Sequence, residues 1–517
     1  MGAEAVAHPA VLLVPFPAQG HITPMLQLAG VLAAHGVAPT VAVPDFIHRR
    51  IATACGCVGD GVALASIPSG IAAQDTAAGD DDTPGFRDIV HSMEHHMPLH
   101  LERMLTTSPP RRVPPVACVV VDVLASWAVP VAVRCGVPAA GFWPAMLACY
   151  RVVAAIPELL EKGLISESGT PISSAVESSD GDEQQVVQDD GRTATIRGLE
   201  ILPAQVELRV EELPWLVGDS ATRSSRFAFW LQTLHRARGF RWVLVNSFPG
   251  EAGCPAAAAG NENDDDAHRL ARQGPRVLPI GPVLLPGGAG ERTKQQQQCG
   301  KNPSMWRADS TCIGWLDAQR AGSVVYVSFG SWVGSIGPDK VRELALGLEA
   351  TARPFLWALK RDASWRSGLP DGFEDRVAGQ GKLVDWAPQQ DVLCHAAVGC
   401  YLTHCGWNST LEAIQHGVRL LCYPVSGDQF INCAYITGVW RIGLRLDGGM
   451  SRDDVGAGIG RVMDDGDEGR RLQEKVWALR DRVVTVEARR AADRNVSSFV
   501  DEITRDHPLL VQLYSVL

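Results

Sequence analysis

Two α/β domains with parallel sheets, joined by a polar linker, are what this sequence predicts. Three observations carry the prediction. Strand–helix–strand units recur in two separate series along the chain. The strands are nearly continuous apolar runs, as expected of parallel strands covered on both faces. A polar stretch rich in glycine and glutamine lies where the chain passes from one series to the other. The length, 517 residues, is enough for two or three domains.

The first strand is predicted at Val11–Phe16. A loop follows at Pro17–His21, then an amphipathic helix from about Thr23 to Ala34, with Met25, Leu28, Ala29 and Leu32 at helical spacing. Val37–Val43 is the second strand. Ala117–Val121, Leu124–Arg134 and Pro138–Phe142 repeat the strand–helix–strand unit, and Trp242–Asn246 adds a strand. Such alternation builds an open sheet with crossover helices. Segments 178–195 and 250–274 are too polar to bury a core of their own, so they are assigned as surface insertions in a first domain spanning 1–285. Segment 286–304, with the run Gln295–Gln298, is assigned as the interdomain linker.

The second series occupies 305–490. Its strands are predicted at Val324–Phe329, Phe355–Leu359, Lys382–Val384, Cys400–Leu402 and Arg419–Tyr423, with a helix at Pro338–Ala350. One long helical stretch, Glu468–Arg505, is charged on one face. The terminal segment 491–517 is expected to pack back on the first domain.

Composition excludes several classes. The hydrophobic share is 46%, the charged share 20% and the formal net charge −11, which argues against a nucleic-acid partner. The 13 cysteines are scattered without zinc spacing and suit buried thiols in a reducing compartment. Met1–Pro9 carries no basic leader region, and Ala10–Phe16 is too short to span a bilayer. A soluble, cytoplasmic monomer without membrane insertion is the expectation.

The densest chemistry runs from Trp386 to Gln429. Thr403-His404-Cys405-Gly406-Trp407-Asn408-Ser409 follows an apolar strand and opens a helix. A strand, a glycine turn and a helix start form an anion site, because unpaired backbone N–H groups and the helix dipole both favour phosphate. No Walker loop and no G-x-G-x-x-G fingerprint is present. Ser409 and Glu412 have capping-box spacing; alternatively, Glu412 accepts hydrogen bonds from two ribose hydroxyls. Trp386 is core or a platform for a flat base. Asp428 and Gln429 grip sugar hydroxyls or cap the next helix.

This segment resembles the signature box of the plant family 1 UDP-glycosyltransferases. It spans 44 positions inclusive, the length of that box, and matches at WxPQ, LxH, THCGWNS, the glutamate three residues on, the GV pair and PxxxDQ. The likeness continues through FPAQGHITPMLQLA, LVNSF, WLD and VVYVSFGS, and covers nearly the whole chain outside the three polar segments. It implies a GT-B-like fold of two facing Rossmann-like domains, with acceptor in the first and UDP-sugar in the second. It also implies that Trp386 stacks on uracil and that Ala387 meets the base through its backbone. Gln389 and Glu412 would hold the ribose. Ser331, His404, Asn408 and Ser409, at the turn made by Gly406, would bind the diphosphate, and Trp407, Asp428 and Gln429 would face the sugar. The closing Gln429 favours glucose as donor sugar. Two positions depart from the pattern. Arg419 replaces the usual proline after the GV pair, and Pro144 stands where many relatives carry a sugar-contacting Ser or Thr. The likeness therefore speaks for UDP more strongly than for the sugar.

His21, between the first strand and its helix, is the candidate general base. Asp122, at the end of the run from Cys118, is the candidate partner for its second nitrogen, or a helix cap. The resembled family pairs a GHxxP histidine with such an aspartate. One displacement by the deprotonated acceptor would invert the anomeric centre and release UDP, with protein dipoles and His404 neutralising the diphosphate and no metal or other cofactor required. Phe16, Met93, Met97, Trp143, Met146 and Trp230 are candidate linings of a greasy acceptor pocket. His91, His95, His96 and His100 suggest a metal, but no third-ligand pattern accompanies them, and a solvated or groove-lining helix is preferred. The alternative to an active transferase is a non-catalytic binding protein of the same fold. A hydrolase or a nicotinamide enzyme lacks its motif here.

Overall fold

The computed structural model describes residues 8–54, 61–71, 84–106, 116–172, 176–178, 194–196, 202–248, 251, 275–283, 306 and 308–505, apart from 204, 207, 219, 332, 447, 448 and 465. The assigned linker 286–304, most of both insertions and the last twelve positions of the terminal segment lie outside the described residues.

The first sheet has seven parallel strands in the order β3-β2-β1-β4-β5-β6-β7: β1 Ala10–Val14, β2 Ala38–Pro44, β3 Ala63–Ile67, β4 Val116–Asp122, β5 Ala139–Trp143, β6 Trp242–Val245 and β7 Arg276–Pro279. The second sheet has six parallel strands in the order β10-β9-β8-β11-β12-β13: β8 Val324–Ser328, β9 Phe355–Ala358, β10 Gly381–Val384, β11 Val398–Thr403, β12 Arg419–Cys422 and β13 Gly443–Arg445. Val119, Val120 and Val121 in β4, and Val325 and Val327 in β8, are fully buried. Helices on both faces shield them, which is why these strands show no polar alternation.

In each sheet the strand order reverses beside the first strand of its series. That places a crevice at the carboxyl ends of β1 and β4, and another at those of β8 and β11. The register sets the ends level: Val14 pairs with Val121, and Ser328 with Thr403.

Two sequence expectations are corrected. Helix α1 runs Gln19–Ala34, so His21 lies in its first turn rather than in a loop. Pro24 sits inside this helix, beyond the first turn where proline is ordinarily tolerated, and leaves the Gly20 carbonyl without its helical donor. The terminal helix is two helices, α2 Asp467–Val484 and α3 Val486–Arg505. They part at Thr485, whose hydroxyl accepts from Ala488 N at 3.2 Å and starts the second helix. The break serves a crossing. Val476, Leu479 and Val483 of α2 belong to the same core as Leu411 and Ile414 of the second unit, whereas Val496, Phe499 and Ile503 of α3 join Val11, Leu13 and Trp242 under the first sheet. Trp242 Nε1 donates to Glu502 at 2.8 Å, and Asn495 Nδ2 to the Pro279 carbonyl at 2.7 Å. Among the described residues no helix is long and apolar enough to cross a membrane.

Candidate active site

The two crevices meet. At the first, Asp122 ends β4 fully buried, and one carboxylate oxygen lies 2.8 Å from His21 Nδ1. Its other oxygen accepts from Leu124 N at 2.9 Å. Pairing with histidine and capping the following turn were alternative readings of Asp122; the carboxylate does both. Phe16 packs edge-on against the His21 ring at 5.2 Å, and the side chain stays a quarter exposed. Burial pulls the imidazole pKa down. The Asp122 charge and hydrogen bond outweigh it, Asp428 adds to them, and the net shift is upward. An imidazole fixed through Nδ1, its other edge toward the cleft, can take a proton from a bound hydroxyl.

At the second crevice, helix 407–416 starts from Gly406, which has no side chain with which to cap. Ser409 is therefore the third helical residue, and the capping box expected of Ser409 and Glu412 does not form. The first-turn N–H groups have no intrahelical acceptors and are left for a ligand or water. The His404 ring lies between two glycines. A Cβ on Gly330 would come within 2.8 Å of it, and one on Gly406 within 2.4 Å, so neither position accepts a side chain. Gly330 also has φ +72°, which glycine adopts at no cost. Burial, with Lys360 adding, pushes the His404 pKa down to about 4 against the pull of the Ser328 backbone. His404 is therefore a neutral imidazole that can donate a hydrogen bond. With no anion beside it, a cation buried there is not solvated. Lys360 Nζ donates to the carbonyls of Ser331 and Val333 at 2.7 and 2.9 Å, which shapes the loop after β8.

Gln389 organises the floor. Its Nε2 donates to Ser409 Oγ at 3.0 Å and to Glu412 at 2.7 Å, while its Oε1 accepts from Tyr326 and Tyr401 hydroxyls at 3.2 and 3.1 Å. Gln390 donates to the other Glu412 oxygen at 3.4 Å. Burial raises the Glu412 pKa to about 7, with the two glutamine amides pulling it down. The tyrosines, stacked at 4.9 Å and in register across β8 and β11, were missed in the sequence. Their signal, two tyrosines in otherwise aliphatic strands, was present. Trp386 packs against Trp306 with ring centroids 5.8 Å apart, and its carbonyl accepts from Asp309 N at 2.8 Å; Ala387 is buried beside it.

Asp428 does not cap its helix; it accepts from Asn432 Nδ2 at 2.8 Å. Burial raises its pKa, against Asn432 and His21. Gln429 Oε1 accepts from Val425 N and Ser426 N at 2.9 and 3.1 Å, which leaves its Nε2 as the donor group of the pair. Trp407 is 4% exposed, stacks on Phe248 with planes 9° apart, and donates its indole N–H to the Asn246 carbonyl at 2.7 Å. Its polar group thus joins the two units instead of standing open to a sugar. Trp440 grips the same segment by donating to the Glu251 carbonyl at 2.9 Å.

A second bridge crosses the cleft itself. Asn408 Nδ2 donates to the Gly20 carbonyl at 2.9 Å. Within a helix that carbonyl would receive the N–H four residues on, but residue 24 is proline and has none. The missing donor in α1 is supplied by the start of helix 407–416, which sets the turn holding His21 against the phosphate-type site.

The acceptor-pocket assignment is corrected in part. Met93 and Met97 are 1% exposed and Met146 0%, so they are packed core and line no open space. Phe16 and Trp143 are nearly as buried, and Trp143 Nε1 donates to the Met146 carbonyl at 3.0 Å; Trp230 is partly buried against Trp143. The rings of His91, His95 and His96 cluster at 4.6–5.5 Å, all three exposed.

Residues 310–471 match the family model described as UDP-glucoronosyl and UDP-glucosyl transferase. UDP-glycosyltransferase 82A1 of Arabidopsis thaliana is 42% identical, over 96% of this chain and 98% of the relative. The chain belongs to the plant family 1 UDP-glycosyltransferases. It is also 30% identical to (R)-mandelonitrile beta-glucosyltransferase of Prunus dulcis, over 91% and 92% of the two chains. Os79 of O. sativa, solved in complex with UDP, superposes with a TM-score of 0.73 at 26% identity, over 95% of this chain and all of that one. This UDP-glycosyltransferase therefore has the GT-B fold and carries the family's glycine turn and helix start at its second crevice.

Proposed function

We propose that this UDP-glycosyltransferase is an inverting O-glucosyltransferase that uses UDP-glucose and a hydroxyl on a small apolar acceptor of phenolic, terpenoid or hormone-like type. The observation that carries the proposal is the His21–Asp122 pair at 2.8 Å, held beside the first turn of helix 407–416 by the Asn408–Gly20 bridge. His21 takes the acceptor proton and Asp122 stabilises the imidazolium. The acceptor oxygen bonds to the anomeric carbon as the bond to the UDP oxygen breaks. The helix start, the loop at Ser331 and the neutral His404 donate hydrogen bonds to the departing diphosphate, so no resident metal is needed. A single displacement on α-linked UDP-glucose gives a β-glucoside, in keeping with the beta-glucosyltransferase name of the Prunus dulcis relative. Gln389 and Glu412 hold the ribose, Trp386 and Ala387 the base, and Asp428 with the Gln429 amide the glucose. The reading is tested by UDP release from UDP-glucose and UDP-galactose over a panel of phenolic and terpenoid alcohols, with the anomeric configuration of the product read by NMR. A retained α-configuration, or UDP release that needs no acceptor, would overturn it.

Two pH effects follow. The base works only when unprotonated, and its pKa lies above the ordinary 6.5. The rate at low acceptor concentration is therefore expected to fall on the acid side with an apparent pKa above 6.5. Asp122→Asn should move that limb to lower pH while lowering turnover, because the raising charge and the imidazolium partner are lost together. A limb unmoved in Asp122→Asn would remove His21 as its source.

Glu412 gives the second. With its pKa raised to about 7, the folded site favours the protonated carboxyl, and this group's contribution to stability is lost as pH rises from about 4.5 through 7. Ribose hydroxyls need the ionised acceptor, so binding runs the other way. UDP-glucose affinity should weaken by up to about tenfold per unit below pH 7. Glu412→Gln should flatten that dependence in calorimetric titrations.

A further inference from the structure

Cys405, Cys422 and Cys433 play no part in the chemistry above, yet their three sulfur atoms all lie within 4.8 Å of one another, fully buried. Three elements bring them together. Cys405 occupies the turn after β11, Cys422 ends β12, and Cys433 lies in helix 429–434. The register pairs Thr403 with Cys422, which sets the β12 thiol beside the turn. Cys405 itself has φ +67°, a conformation that costs a non-glycine residue energy. It is held there by its N–H on Thr403 Oγ1 at 3.1 Å and by Asn432 Nδ2 on its carbonyl at 2.9 Å. The Asn432 Oδ1 is buried without a hydrogen-bond partner among the described residues, so polar atoms beside the thiols are incompletely satisfied.

A metal bound to three thiolates at about 2.3 Å sets its sulfurs about 4 Å apart. The observed cluster meets that spacing with little movement. Thiolates without carboxylate or imidazole neighbours in the ligand set select soft ions. We infer that Cys405, Cys422 and Cys433 form a binding site for one soft, thiophilic cation of the Cu(I) or Cd2+ type, seated directly beneath the turn that begins the UDP-sugar site. In binding Cd2+, three S–H bonds break, three protons leave to solvent, and three Cd–S bonds form without any change of oxidation state. The site adjoins the catalytic cleft, because the Asn432 amide that holds Cys405 also donates to Asp428.

The test is Cd2+ titration of the full-length reduced protein, read by the thiolate-to-cadmium charge-transfer absorption and by bound metal after gel filtration against a chelator. Cys422→Ala and Cys433→Ala are compared with wild type, and Cys394→Ala serves as the control, since Cys394 is an exposed thiol elsewhere. UDP-glucose binding without metal is measured in all four to show that the fold is kept. One chelator-resistant Cd2+ per chain in wild type and Cys394→Ala, lost in both cluster variants, is the expected result. Equal retained cadmium in all four proteins, or none in wild type, overturns the inference. Should either cluster variant fail to bind UDP-glucose, Cys422→Ser and Cys433→Ser replace the alanine pair under the same criterion.

Discussion

His21→Ala is expected to lower turnover by about 10²- to 10⁴-fold while leaving UDP-glucose affinity nearly unchanged. The imidazole is held by Asp122 on the first unit, and among the described residues no hydrogen bond from the second unit ends on its ring, so its loss removes a proton acceptor and little binding. Asp122 separates chemistry from structure. Asp122→Asn keeps an oxygen for Leu124 N but turns its NH2 toward His21 Nδ1, so the charge and the acceptor for the imidazole are lost together and turnover falls while the turn after β4 stays capped. Asp122→Ala also removes the bond that Leu124 N makes at 2.9 Å and should cost about 1 kcal/mol more in unfolding free energy. Steady-state kinetics beside calorimetric UDP-glucose binding checks both. Near-normal turnover in His21→Ala, or a matching collapse of donor binding, would remove the histidine from its role.

Trp407→Ala should destabilise the folded chain by about 3–5 kcal/mol. The indole is almost fully buried where the two units meet, lies flat on Phe248, and satisfies the Asn246 carbonyl. Its removal leaves a cavity and an unsatisfied acceptor together. Trp407→Phe keeps the stack and loses mainly the hydrogen bond, so about 1 kcal/mol is expected. Denaturant midpoints for the three proteins measure the difference. Equal losses in the two variants would mean that stacking and cavity contribute little, and that Trp407 acts through its hydrogen bond alone.

What can be read from a sequence is set by range. Val119–Val121 and Val324–Val327 announce parallel strands because burial on both faces leaves no polar residue in the run. The turn Thr403–Ser409 announces an anion site because strand end, glycine and helix start are contiguous. Errors came where a local signal had two physical outcomes. The stretch Pro17–His21 suits either a loop or a helix start, and the helix begins at Gln19. Ser409 and Glu412 had capping-box spacing, but Gly406 took the cap position, and both side chains turned to Gln389. Met93, Met97 and Met146 are apolar in either a pocket or a core, and only burial tells which.

By itself, the sequence determined the two parallel-sheet units, the glycine turn of the donor site, and the candidate residues His21, Asp122 and Glu412, because each rests on residue type and on spacing within one element. Only the tertiary structure decided how those residues work. The sequence separations of 101 from His21 to Asp122, and of 388 from Gly20 to Asn408, are closed by strand order and domain docking. The neutral state of His404, the raised pKa of Glu412 and the meeting of three thiols likewise depend on burial and on neighbours from other elements. Those are properties of the packed interior, where desolvation and contact act between groups that no local pattern connects.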